Sequence, residues 1–198
     1  MEAGYKHACS TPSDINEHIP TLYKYGLECS HITECGVRSL VSSYAFGFSL
    51  VNRGDVKLVQ VDPDMSPSYD NFKKICEDNK ITNVFYKESD LTCPMEHTDL
   101  LFIDTWHVYG QLKRELNRWN SYVKKYIILH DTTVDEKYGE TLRCGMNAIQ
   151  QSKDFNMPVE EIVKGLWPAV EEFLKEHPEW TLFERYTNNN GLTILKRA

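Results

Sequence analysis

Short apolar, β-branched runs alternate with amphipathic stretches along most of the chain, and this alternation limits the fold more than any other feature. Strand-type runs occupy residues 30–35 (SHITEC), 56–62 (VKLVQVD), 82–87 (TNVFYK), 98–104 (TDLLFID) and 125–131 (KYIILHD). Helix-type stretches fill residues 39–52, 68–79 and 108–123, and another covers residues 13–28, with Ile15, Ile19, Leu22 and Tyr23 at helical spacing. Strands separated by helices cannot pair as hairpins, so alternation implies parallel strands with crossover helices on both faces. The runs at 98–104 and 125–131 are almost continuously apolar, as expected for strands covered on both sides.

Two further helical stretches follow, at 139–152 and 158–176, and Pro168 should break or kink the second. The chain then ends in two strand-like runs flanking Asn188-Asn189-Asn190-Gly191, a strong hairpin signal. The expected fold is α/β: a doubly wound, seven-stranded, mostly parallel sheet with a C-terminal antiparallel hairpin at one edge. No repeat, low-complexity tract or linker divides residues 1–198, so one domain is expected.

The net charge of −7, with basic residues scattered among acidic ones, argues against a nucleic-acid partner. No polybasic or lipidation motif, signal peptide or long apolar run is present, which predicts a soluble cytoplasmic protein without a membrane partner. The six cysteines form no CxxC pair and no zinc spacing, and reduced thiols are expected. The apolar face of the first helix suits either its own sheet or a second copy of the chain, which leaves a homo-oligomer open.

In an open parallel sheet, ligands bind beyond the carboxyl ends of the strands. Every such end here carries an acid: Glu34, Asp62, Asp90, Asp104 and Asp131. Asp62 ends the second strand, where an acid commonly accepts hydrogen bonds from ribose hydroxyls; capping of the next helix is the structural alternative. The turn after the first strand holds only Gly36, so the glycine-rich cradle for a pyrophosphate is missing. A cofactor with a ribose and no phosphates fits better than a dinucleotide, and S-adenosylmethionine is such a molecule.

The motifs HITECGVRS, LVQVDPD and YKESD resemble the first three motifs of class I S-adenosylmethionine-dependent methyltransferases. The resemblance spans nearly the whole chain and implies a Rossmann-like methyltransferase fold. By position, Glu34, Gly36 and Ser39 would hold the methionine end of the cofactor, Asp62 the ribose, and Ser89 and Asp90 the adenine. Arg38 and Leu40 stand where many of these enzymes carry glycine. Within the class, DLLFIDTWHVYGQLKREL and YIILHDT are similar to the small sugar and macrocin-type, cephalosporin-hydroxylase-like O-methyltransferases. That similarity implies a divalent metal, magnesium or manganese, on Asp104 and Asp131. It also implies His107 as the base and a sugar hydroxyl as the acceptor, such as a deoxyhexose like rhamnose on a glycan.

Chemistry points the same way. A hydroxyl is a poor nucleophile until it loses its proton, and a histidine suits proton removal near neutral pH. Asp104 closes a strand and His107 opens a helix three residues later, so both can face one cleft, while alternation predicts that His130 points away from Asp131. Trp106 and Tyr109 either stack on the sugar or adenine or belong to the core. Residues 132–146, with Tyr138, suit a lid over the acceptor. A catechol-type O-methyltransferase and a non-catalytic module with the same fold are the rival readings.

Overall fold

The computed structural model describes all 198 residues. Helix α1 (Glu2–Ser10) and a 3-10 turn (Asn16–His18) lead into α2 (Ile19–Gly26). Then come β1 (His31–Cys35), α3 (Val41–Leu50), β2 (Lys57–Val61), α4 (Tyr69–Asp78), β3 (Thr82–Tyr86), β4 (Thr98–Ile103), α5 (Tyr109–Trp119) and β5 (Val123–His130). Four helices follow: α6 (Glu140–Arg143), α7 (Ala148–Asp154), α8 (Val159–Val163) and α9 (Trp167–Glu176). The hairpin β6 (Trp180–Tyr186) and β7 (Leu192–Arg197) ends the chain. The seven strands form one sheet in the order β3-β2-β1-β4-β5-β7-β6. Strands β1 to β5 pair in parallel, and β7 pairs antiparallel to both β5 and β6.

Side-chain alternation separates two apolar layers. Ile32, Leu58, Leu100, Phe102, Ile128 and Ile194 face α2, α3 and α4, whereas Cys35, Val59, Val61, Leu101, Ile103, Ile127, Leu129 and Leu195 face α5 and α9. The LLFI run of β4 therefore divides between the two layers and is buried on both, which is why it shows no polar alternation. Leu112, Leu116 and Trp119 bring α5 onto the second layer at helical spacing.

The strand order reverses between β1 and β4, which places a crevice at their carboxyl ends. The register is nearly flush there: Cys35 lies beside Ile103, and Ile103 beside Leu129. The residues that follow each strand are brought to one edge. Gly36 makes the closest approach, with φ at +84° and its hydrogen facing β4, where a Cβ would stand 1.9 Å from the Asp104 carbonyl oxygen. Only glycine suits both constraints.

The helical segments depart from the sequence expectations in three places. The N-terminal helix α1 was not anticipated in that polar stretch; it is secured by Ala8 and by Tyr5 against Tyr23 and Phe48. The stretch 13–28 forms regular helix only from Ile19, with Pro20 in the first turn, where its missing N–H costs nothing. The stretches at 139–152 and 158–176 each divide in two: Gly145 at φ +64° separates α6 from α7, and Pro168 sits in the first turn of α9. No helix is long and apolar enough to cross a membrane.

Candidate active site

Asp104, His107 and Asp131 meet beyond β4 and β5. The His107 Nε2 lies 3.1 Å from Asp104 Oδ1 and 3.1 Å from Asp131 Oδ2. The backbone fixes this arrangement. Asp104 N–H donates to the Cys35 carbonyl, and the His107 carbonyl accepts from the Glu140 amide, so the turn into α5 is held from both sides.

His130 does not point away, as alternation predicts. Strand β5 ends at His130, and Asp131 adopts φ +56°, outside the extended region, so period two no longer applies. His130 Nδ1 reaches Asp104 Oδ1 at 3.2 Å and Asp131 Oδ2 at 3.4 Å, and its Nε2 lies 3.3 Å from the Asn189 carbonyl. The hairpin tip thus reaches the site, where the Asn190 carbonyl also accepts from the amides of Thr133 and Val134.

Acids surround His107 on its other side as well. Its Nδ1 lies 3.5 Å from Asp135 Oδ2 and 3.6 Å from Glu140 Oε2. Asp135 is fully buried and is held by Arg143, whose Nε and Nη2 donate at 2.7 and 2.8 Å. Neither Asp135 nor Glu140 was singled out from sequence. Their signal was the acid-rich stretch DTTVDEKYGE following β5.

Burial by itself would push both histidines toward the neutral form. The hydrogen bond to Asp104, the nearby carboxylate of Asp135 and the charges of Asp131 and Asp104 outweigh it at His107, raising its pKa well above the usual imidazole value. His130 is raised to about 10 for the same reasons, through Asp104 and Asp131. Burial would raise Asp104, yet hydrogen bonds from His107 and His130 hold its carboxyl far below the usual range. Two imidazolium ions therefore offset part, but not all, of the acidic charge of the site.

The same donor set fits a divalent cation. One oxygen each of Asp104 and Asp131 and one nitrogen of His107 lie within 4.8 Å of one another. Asp131 Oδ1 is buried without a hydrogen-bond partner, as an atom awaiting a cation would be. Two carboxylate oxygens suit magnesium or manganese with the imidazole outside the coordination shell, where its nitrogen stays free to take a proton.

The residues expected to hold the cofactor fare differently. Glu34 is completely buried and accepts from Ser42 Oγ at 2.5 Å, Ser43 Oγ at 2.7 Å and Gln60 Nε2 at 2.9 Å. Burial, partly offset by these bonds, raises its pKa to about 7. It anchors α3 onto β1 and β2, and its expected contact with the methionine end is replaced by this internal network. Asp90 is also buried: it accepts from Gln111 Nε2 at 3.2 Å and faces Glu115 of α5. Asp62 Oδ2 accepts from the amides of Val37 and Arg38 at 2.7 and 3.0 Å, and Oδ1 from the amide of Asp64. It caps the loop after β1, while Oδ1 with its single bond keeps acceptor capacity. Arg38 and Leu40, at φ +42° and +68°, take the left-handed positions that glycines would occupy. Ser39 is exposed in this loop, and Ser89 turns back on the Leu91 amide.

On the acceptor side, Trp106 stands beside His107 and packs on Phe155 at 4.8 Å. Tyr109 is not a cleft residue: it is buried, its hydroxyl donates to Glu172 at 2.5 Å, and the Lys164 ammonium lies 3.8 Å from its ring centre. Tyr138 is 58% exposed and lines a surface pocket of about 480 Å³ with Thr133, Val134, Glu136, Lys137, Leu142 and Arg143.

No family model matches the sequence, and no curated protein matches it. Solved structures do resemble it. A protein from Corynebacterium glutamicum superposes with a TM-score of 0.65 at 14% identity, covering 100% of this chain and 91% of that one. A methyltransferase from Podospora anserina with bound S-adenosylhomocysteine gives 0.58 at 14% identity, over 100% and 87%. The O-methyltransferase TomG from Streptomyces achromogenes, involved in tomaymycin synthesis and solved with S-adenosylmethionine, gives 0.59 at 11% identity, over 99% and 88%. At these identities the likeness establishes the fold, which is the Rossmann-like methyltransferase fold expected from the motifs.

Proposed function

We propose that this chain is an S-adenosylmethionine-dependent O-methyltransferase that methylates a sugar hydroxyl. The observation that carries the reading is the meeting of Asp104, His107 and Asp131 at adjacent strand ends, on the fold shared with cofactor-bound methyltransferases. Of the strand-end residues, Ser39, Asp62 and Ser89 keep surfaces suited to the cofactor; Glu34 acts behind them by fixing the start of α3. The cofactor supplies an electrophilic methyl group on a sulfonium.

The remaining work belongs to the chain. Asp104 and Asp131 would hold a magnesium or manganese ion, whose chemistry when bound would be to lower the pKa of the acceptor hydroxyl. His107 takes the proton. An imidazole between two carboxylates keeps its own proton, so it serves as a base only when other positive charge neutralises Asp104 and Asp131. A bound divalent cation would supply that charge. Asp135, clamped by Arg143, faces the other edge of the ring at 3.5 Å.

Calorimetric titration with S-adenosylhomocysteine, with NAD as control, tests the cofactor. Micromolar binding of the thioether and none of NAD is expected; a screen of sugars against catechols with added magnesium then identifies the acceptor. Absence of thioether binding would turn the assignment toward a non-catalytic module.

A further inference from the structure

The surface pocket on the segment after β5 carries chemistry that a simple sugar does not use. Its segment is fixed to the site: the Glu140 amide donates to the His107 carbonyl, and Tyr138 bridges to Lys164. At about 480 Å³ it is of the size that accepts a whole small-molecule ligand rather than one functional group. One side is apolar and exposed, formed by Val134, Tyr138 and Leu142.

Charge on the other side is unbalanced. Glu136 is paired with Arg185 at 3.2 Å. Arg143 gives Nε and Nη2 to Asp135, which leaves Nη1 facing no acceptor. Lys137 has no acidic partner, and its ammonium lies 5.2 Å from the centre of the Tyr138 ring. The wall therefore offers uncommitted N–H donors and one uncompensated positive charge, on a chain whose net charge is −7. The reaction centre itself, with Asp104, Asp131, Asp135 and Glu140, repels anions. An acceptor that satisfies both regions is bipartite, with a neutral hydroxyl at the centre and an anion farther out beside an aromatic face.

We propose that the methyl acceptor is a sugar carried on a nucleoside diphosphate. The sugar hydroxyl lies at Asp104 and Asp131, the diphosphate at Lys137 and Arg143 Nη1, and the base against Tyr138. Charge-assisted bonds to phosphate and stacking on an exposed aromatic ring are the interactions that these side chains supply. The inference rests on the methyltransferase reading for the chemistry at the hydroxyl, and on the pocket alone for the diphosphate.

The test is calorimetric titration of the full chain with uridine, UDP, dTDP and GDP, alongside S-adenosylhomocysteine on the same preparation. At least one nucleoside diphosphate should bind tenfold or more tightly than uridine, with the advantage falling as salt is raised. Lys137→Ala should remove most of that advantage, Lys137→Arg should keep it, and Tyr138→Ala should weaken nucleotide and uridine alike. Diphosphates that bind no better than uridine, or an advantage untouched by Lys137→Ala, overturn the assignment. Thioether binding without diphosphate preference refutes this acceptor and leaves the methyltransferase reading intact. Diphosphate preference without thioether binding keeps the diphosphate subsite but refutes the methyltransferase reading and, with it, the ligand's role as methyl acceptor.

Discussion

Gly36→Ala connects the fold and the site in one perturbation. Two costs add. A non-glycine residue at φ +84° is strained by about 1–2 kcal/mol. The new methyl group would stand 1.9 Å from the Asp104 carbonyl oxygen and 2.5 Å from its carbon, both backbone atoms that cannot rotate away. Relieving that overlap means separating the ends of β1 and β4, at about 1–3 kcal/mol for an overpacked site. The sum, about 2–5 kcal/mol, is a large fraction of the 5–15 kcal/mol or so that holds a domain folded. Because the displaced carbonyl belongs to Asp104, its carboxylate moves with it. Urea unfolding should show a lower midpoint with an unchanged slope, and turnover should fall by about a hundredfold, as for an ångström-scale misplacement. Gly54→Ala, where nothing lies within 4 Å, should change stability by less than about 0.5 kcal/mol. A Gly36→Ala protein as stable as the Gly54→Ala control would refute the reasoning.

Three further outcomes are expected. His107→Ala should lower turnover by about 10²–10⁴-fold while leaving the affinity for S-adenosylhomocysteine within a few-fold, and near-normal turnover would remove His107 from the role of base. Thorough chelation should abolish activity and manganese or magnesium should restore it; full activity after chelation would dismiss the metal. With chelator present, His130 should make stability pH-dependent. Its folded pKa of about 10 lies above the unfolded value, so its contribution is complete below about pH 6.5 and is lost as pH rises toward 10. Between pH 7 and 9 the melting temperature of the native protein should fall by several degrees more than that of His130→Gln, and parallel curves would contradict the ion pairs drawn here.

Periodicity alone made the sheet legible. Val, Ile and Leu repeats in β2, β4 and β5 distinguish doubly covered strands, and the intervening helices require parallel pairing, whatever the distant contacts are. The NNNG turn likewise announced the hairpin. Pro168 and Gly145 show the limit of such reading, since each marked an interruption while only packing fixed how the chain resumed.

The site was legible as a list of strand-end acids but not as a set of contacts. Glu34, Asp62, Asp90, Asp104 and Asp131 look equivalent in sequence because each follows an apolar run. Tertiary structure sorts them. Glu34 meets two serines of α3 and a glutamine of β2, Asp90 turns toward α5, and Asp62 closes on the amides of its neighbouring loop. Only Asp104 and Asp131 converge with His107.

What the sequence determined by itself was the fold class and the edge of the sheet where the ionisable residues collect, because both follow from local patterns of apolar and polar residues. What only the tertiary structure decided was where each ionisable side chain points. Strand β5 stops one residue before Asp131, that residue takes a left-handed backbone, and the hairpin tip at Asn189 closes over His130. Side-chain direction at a strand end depends on backbone angles set by long-range contacts, and a pattern of period two carries no information past the point where the strand stops.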